Sequence, residues 1–435
     1  MLINLLIIGF TLLGVRSILY EKDGVEKTFI WILWAFCLGY RTFSTIPMLV
    51  IHPIEIFSFT CIIRLFSSNH YRYRRIPMIH RIILFLFFIV FVVGVINDFS
   101  PYVLNDFKAI SLLYQFYFIS QYIKFDQDSF FRIIKHYFIP AVYISLFGVI
   151  EYYNPTISSS IFGFDKSSQH GYEIIDQRMF GRLAFMFWGT HLAANVIPPI
   201  FPILFYLKVK KNWIINNNFI FSSLIFLFLI TIYLSGNRVS WLIITLMLFN
   251  FIFIYSNSLF PNVKKYILLI SISFILTIYS LPATYRYFSI FKALTGNIDA
   301  TYDASSAKRL GLIKYAFTDI KNNFMGVGWG EMWWVHSDIL QITAAAGIIP
   351  GFLFILSLLL IFIRTIRYHN FIRNFSDNNY DKLSIFICLN FILFVTISLI
   401  FNGNYGLVQC GAPIFILWVI SDSYVRASIN NEKIN

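Results

Sequence analysis

Apolar runs of about 18 to 22 residues, the length that crosses a bilayer as a helix, recur along the whole chain with short polar stretches between them. They occupy approximately 2–19, 28–46, 47–66, 79–97, 105–123, 134–152, 185–206, 217–234, 239–256, 264–281, 338–364, 382–401 and 407–425. Within each run the apolar residues are continuous rather than alternating, which excludes a membrane β-barrel and predicts helices. The expected fold is all-α: a polytopic transmembrane helical bundle of about 12–13 spans. Residues 28–66 leave a choice between two short helices and one helix with a re-entrant piece around Pro47 and Pro53. The run at 2–19 lacks a basic leader and a small-residue cleavage signal, so it reads as a first membrane helix.

Two stretches break the pattern, 153–184 and 282–337. Long connections without their own fold are uncommon unless they work, so both belong to the working face of a single membrane domain, 1–435. Inside the longer one, Ser305 and Ser306 can cap a helix over 307–321. Its stripe of Leu310, Ile313, Phe317 and Ile320 predicts a helix lying on the membrane surface or on the bundle. Gly326, Gly328 and Gly330 then form a flexible turn, and the next span starts at Ser337-Asp338 with His336 at its mouth.

Charge orients these elements. Alternating short loops hold 19 Lys and Arg: Arg64, Arg72, Arg74, Arg75, Arg81, Lys124, Arg132, Lys135, Lys208, Lys210, Lys211, Lys264, Lys265, Arg364, Arg367, Arg373, Lys382, Arg426 and Lys433. The opposite set, before the long loop, has only Lys108, Lys166, Arg178, Arg182 and Arg238. Positive residues stay inside, so the first set and the C-terminus are expected in the cytoplasm and both long loops outside. The side of the N-terminus depends on whether 28–66 crosses once or twice. The six Lys and Arg of 282–337 do not oppose this, because long loops escape the rule. The net charge of +13 is spread over many loops with no compact basic patch. It reads as topology and contact with membrane lipids, and excludes a nucleic-acid partner.

Most candidate chemistry falls away on inspection. Cys37, Cys61, Cys388 and Cys410 sit far apart in apolar segments, implying neither disulfides nor a metal site. Asp126-Gln-Asp128 has a metal–nucleotide-sugar form but no nucleotide-binding domain around it. Gly326-Val-Gly-Trp-Gly330 follows no strand and does not suit phosphate cradling. Asp98 and Asp106 are isolated carboxylates in the first clear outer loop.

Three residues remain. Arg238 opens an apolar helix after Ser235-Gly-Asn237, and an interfacial arginine there is a functional candidate, although snorkelling alone would also place one. Arg309 begins the amphipathic helix, and His336 stands beside Trp333 and Trp334. Each has a plain reading as a headgroup or aromatic-belt contact. Together they supply two guanidiniums to chelate a diphosphate and an imidazole to take a proton from a hydroxyl.

Ser235-Gly-Asn-Arg-Val-Ser-Trp241 resembles a helix start of the O-antigen ligase/polymerase superfamily. The segment from Ser306-Ala-Lys-Arg309 through Asn322-Asn-Phe-Met-Gly-Val-Gly328 is similar to its arginine, helix and Gly-x-Gly stretch, and His336-Ser-Asp-Ile-Leu340 through Gly347 and Gly351 to its histidine helix. Arg182 to Asn195, with Gly189 and His191, looks like the family's entry to a further span. This sequence departs by Ser337 after the histidine, Asn237 in place of a small serine, and Phe324 where proline is usual. The resemblance implies an enzyme without cofactor or metal. It would act by inverting glycosyl transfer from an undecaprenyl-diphosphate-linked oligosaccharide at the outer face of a bacterial inner membrane. Arg238 and Arg309 would hold the diphosphate and His336 would activate the acceptor. Arg178, Arg182, His191 and Arg286 would be further substrate contacts, and a chain-length regulator a candidate partner. The branch expected is the polymerase that joins repeat units. The alternatives are the ligase that moves the glycan to lipid A-core and, more distantly, a lipid-linked oligosaccharide flippase.

Overall fold

A computed structural model describes residues 2–38, 43–46, 49–67, 76–97, 101–153, 196–209, 215–235, 238–255, 304–330, 335, 337–375, 379–401 and 408–432. Among these the chain is a polytopic helical membrane bundle with one small antiparallel ribbon. Its helices are α1 Leu2–Tyr20, α2 Gly24–Ala35, α3 Pro53–Ser67, α4 Met78–Asn97, α5 Pro101–Ser120, α6 Gln127–Lys135 and α7 Phe138–Tyr153. They continue with α8 Ile200–Val209, α9 Asn218–Ser235, α10 Arg238–Tyr255, α11 Ala304–Asn322 and α12 Asp338–Ala346. The last three are α13 Ile348–Phe375, α14 Asn379–Phe401 and α15 Val408–Glu432. Six stretches among the described residues are long and apolar enough to span: Met78–Asn97, Gln127–Ile150, Asn218–Ser235, Ile348–Ile372, Leu383–Phe401 and Gly411–Ile429. The expected span at 264–281 and most of 153–184 lie outside the described residues.

α14 and α15 are buried along most of their length, whereas α4 turns Phe85, Phe88, Val93 and Ile96 outward. In lipid an outward Phe costs nothing, so packing and internal pairing, rather than apolar burial, decide which helices meet. Bulky side chains fill the centre: Phe354 meets Trp418 edge to face at 5.5 Å, and Phe87 meets Trp329 the same way at 5.5 Å.

Side-chain pairs sort the helix termini into two ends. At one end α6 is the hub. Its Phe130 stacks on Tyr424 of α15, its Phe131 on Tyr206 of α8, its Arg132 pairs with Glu26 of α2, and Gln127 beside it reaches Ser384 of α14. Arg64 of α3 donates to the Ile18 carbonyl of α1 at the same end. At the other end Lys108 of α5 pairs with Glu55 of α3 at 3.1 Å. The stretch 28–66 therefore goes out and back as two short helices. α2 ends in a 3-10 turn, Phe36–Leu38, and the ribbon Phe43–Ile46 with Leu49–Ile51 links it to α3. α1 accordingly begins at the Lys108 end, while α15 finishes at the α6 end.

The α6 end is locked by an ion triad built on a buried carboxylate. Asp422, 1% exposed, accepts from Arg364 of α13 at 2.6 Å and lies 3.0 Å from Nε of Arg426. Tyr117 of α5 donates at 3.3 Å to Oδ2, the oxygen that faces Arg426, and His80 of α4 lies over the Tyr117 ring at 4.4 Å. Three helices thus meet on one carboxylate, and α4 joins them through the Tyr117 ring. Removing one partner from a buried pair costs about 3–5 kcal/mol, so the triad neutralises a charge that would otherwise weaken this end of the bundle.

Candidate functional site

The Lys108 end carries the segment that joins α11 to α12. α11 runs from Ala304, so Ser305 and Ser306 fall within its first turn and do not cap it. Among its described side chains Ala316 is fully buried, with Leu312, Ile313 and Ile320 half-buried around it, while Phe317 is 57% exposed. The face against the bundle is therefore rotated from the expected stripe, because Phe317 leaves it. Position 309 lies seven residues before Ala316, two helical turns, on the same side of the helix axis.

After α11 the glycine segment folds back onto the end of α12. The amides of Val327 and Gly328 donate to the carbonyls of Ala344 and Ala345 at 2.9 and 3.0 Å, satisfying two acceptors that a helix end leaves open. The Ile348 amide donates to the Phe324 carbonyl at 3.1 Å. Gly326 and Gly347 face each other with φ of +89° and +98°. A Cβ on Gly326 would sit 2.4 Å from the Ala345 oxygen, and one on Gly347 2.8 Å from the Met325 carbonyl carbon. Both the backbone conformation and the approach require glycine. The run expected as one span, 338–364, is thus two helices broken at Gly347, with the glycine segment wedged at the break.

The segment is fixed on its other side as well. Trp329 is fully buried against Phe87, and the Gly330 amide donates to Oδ2 of Asp106 on α5 at 3.2 Å. Ser337 then caps α12 by accepting from the Leu340 amide, and Asp338 is completely buried in the first turn, where a helix start favours negative charge. His336 itself lies outside the described residues, between these anchors in the chain. Gln341, one turn into α12, is 6% exposed and its Oε1 has no hydrogen-bond partner.

Arg238 begins α10. Its end of the bundle follows from its neighbours. Tyr206 stacks on Phe131 at the α6 end, and Lys208 donates there to Asn218, the start of α9, at 2.7 Å. Phe205 meets Phe221 and Phe201 meets Phe228, so α8 and α9 run antiparallel and α9 climbs away. Its 18 residues cover about 27 Å. Ser235, and with it the start of α10, reaches the end that holds Asp106, Gly330 and α12. The side chains of Arg238 and Arg309 lie outside the described residues, as do Arg178, Arg182, His191 and Arg286 in full.

The other motifs resolve plainly. Asp126 is the N-cap of α6, its Oδ1 accepting from the Ser129 amide at 2.8 Å, so Asp126-Gln-Asp128 is a helix start. The amides of Val327 and Gly328 are used on α12 and do not form a phosphate cradle. Cys37, Cys61 and Cys388 are free thiols, and among the described residues no three His, Cys, Asp or Glu gather as metal ligands. Two features escape sequence reading: the Asp106–Gly330 bond and the Asp422 triad. An aspartate inside an apolar span was the signal for the triad, since such a charge needs a partner.

No family model matches the chain, and a search of characterised proteins finds none that matches it.

Proposed function

We propose that the chain is a polysaccharide polymerase of the O-antigen type. It joins undecaprenyl-diphosphate-linked repeat units at the outer face of a bacterial inner membrane, with its C-terminus in the cytoplasm. The observation that carries the reading is the common placement of three segments: the start of α10, the α11 helix with its glycine segment, and the start of α12. The described parts of these segments stand at the end of the bundle opposite α6; in the sequence Arg238 and Arg309 belong to the first two, and His336 directly precedes Ser337, the cap of the third. Described members of the basic set, among them Arg64, Arg132, Lys208, Arg364 and Arg426, belong to helix ends at the α6 side, which supports reading that side as cytoplasmic.

In this reading the two guanidiniums bind the donor diphosphate and offset the charge that grows on it as it leaves. An acceptor sugar hydroxyl attacks the anomeric carbon from the opposite face. The C–O bond to the diphosphate breaks, its electron pair stays on undecaprenyl diphosphate, and the hydroxyl proton passes to His336. The anomeric configuration inverts.

The test is the lipopolysaccharide profile of a deletion strain. Core capped with a single repeat supports the polymerase. Uncapped core with accumulating lipid-linked polymer would make the protein a ligase. Uncapped core without polymer would point to a flippase, and an unchanged profile would reject all three.

A further inference from the structure

We infer that α11 docks in the bilayer leaflet at its own end of the bundle, through a second face that binds anionic phospholipid. The inference rests on the membrane-bundle fold and not on the enzymatic reading. Lys314, Phe317 and Lys321 follow one another at intervals of three and four residues, the spacing of one helical face, and Phe324 stands in the turn just past the helix end. All four are exposed, and this face is turned away from buried Ala316. Met325 extends it and is 78% exposed. Alternating Lys and Phe is how an interfacial helix buries rings among acyl chains while its ammonium groups stay at the phosphates.

Two further observations identify the occupant as lipid. The Phe324 carbonyl is bonded to the Ile348 amide, the first residue of α13. That helix is a candidate span and exposes Ile349 and Phe352 on its opening turns. The apolar patch of α11 therefore continues onto a surface that already stands in hydrocarbon. Among the described residues Lys314 and Lys321 take part in no ion pair, and the neighbouring Asp319 lies on the other flank of the helix. Their charge is left for anionic headgroups, worth about fivefold in binding for each lysine near a charged surface.

Docking would set the height of α11, and so of position 309, at the level of lipid phosphates. The experiment uses the full chain in nanodiscs, with its four cysteines replaced and single spin labels introduced by Phe317→Cys, Phe324→Cys, Tyr315→Cys and Asn322→Cys. Labels at 317 and 324 should collide with oxygen and be shielded from an aqueous nickel chelate, and those at 315 and 322 the reverse. In discs containing phosphatidylglycerol, Lys314→Gln with Lys321→Gln should reduce the docked population, while in pure phosphatidylcholine the substitutions should change nothing. Hydroxyl-radical footprinting of the unsubstituted protein gives an independent readout: Met325 should be protected in nanodiscs while Tyr315 is oxidised. Equal nickel access at all four positions, or free oxidation of Met325, would overturn the inference and leave the face to solvent or to a soluble partner.

Discussion

Asp106 Oδ2 accepts a hydrogen bond from the backbone amide of Gly330 at 3.2 Å, tying the start of α5 to the segment that leads into His336. The bond joins residues 224 positions apart, and with Trp329 packed on Phe87 it gives the segment a rigid floor. A hydrogen bond to a charged acceptor contributes about 1.5–3 kcal/mol.

Asp106→Ala should therefore loosen that floor and lower polymer synthesis by about tenfold or more, with the protein still present in the membrane. Asp106→Asn keeps an acceptor oxygen and should retain most of the activity. Polymer yield in a complemented strain, normalised to membrane content, checks both. Equal loss in the two variants would mean that the charge itself is needed.

Gly326→Ala and Gly347→Ala should each be severely damaging. An added methyl meets backbone on the facing strand of the turn, and a positive φ adds strain of about 1–3 kcal/mol. Gly328→Ala meets no atom within 4 Å and bears only the conformational cost of its φ of +99°, so it should be the mildest of the three. Thermal unfolding in detergent ranks them, and a Gly328 variant as unstable as Gly326→Ala would contradict the described packing.

Much of this fold was legible in the residues, and the reasons it was not wholly so are specific. Run length and continuity were enough for a polytopic helical bundle, with six candidate spans among the described residues, since hydrocarbon demands them. The break at Gly347 was invisible because Ala344-Ala-Ala-Gly-Ile348 stays apolar straight through it; only the fold-back of Gly326 makes the break necessary. Phe317 reads as core by periodicity, yet a membrane protein has two apolar surroundings, and helical spacing cannot tell lipid from protein. Arg364 and Arg426 read only as topology markers in the sequence, because their partner, Asp422, depends on a meeting of three helices. Of the candidate site, the placement of Arg238 and α11 at one end can be traced through described contacts, whereas the roles of the side chains rest on chemistry and resemblance.

Asp422→Ala should destabilise the bundle by about 3–5 kcal/mol, because two guanidiniums would lose their shared carboxylate. Tyr117→Phe removes one donor to that carboxylate and should cost less, about 1.5–3 kcal/mol. Unfolding midpoints in detergent would show the order. A triad without structural weight would leave both variants like the wild type.

The two chain termini should lie on opposite sides of the membrane. α1 starts at the end that holds Lys108 and Gly330, and α15 finishes at the α6 end. Reporter fusions that are active on only one side of the membrane, placed at each terminus, should give opposite answers. Matching answers would show that α1 does not cross as described.

The central claim is a glycosyl transfer at the Gly330 end, and purified protein reconstituted with its lipid-linked repeat unit tests it most directly. The wild type should build a ladder of lengthening polymer, and Arg238→Ala, Arg309→Ala and His336→Ala should each leave single repeats. A ladder that persists undiminished in all three variants would contradict the account.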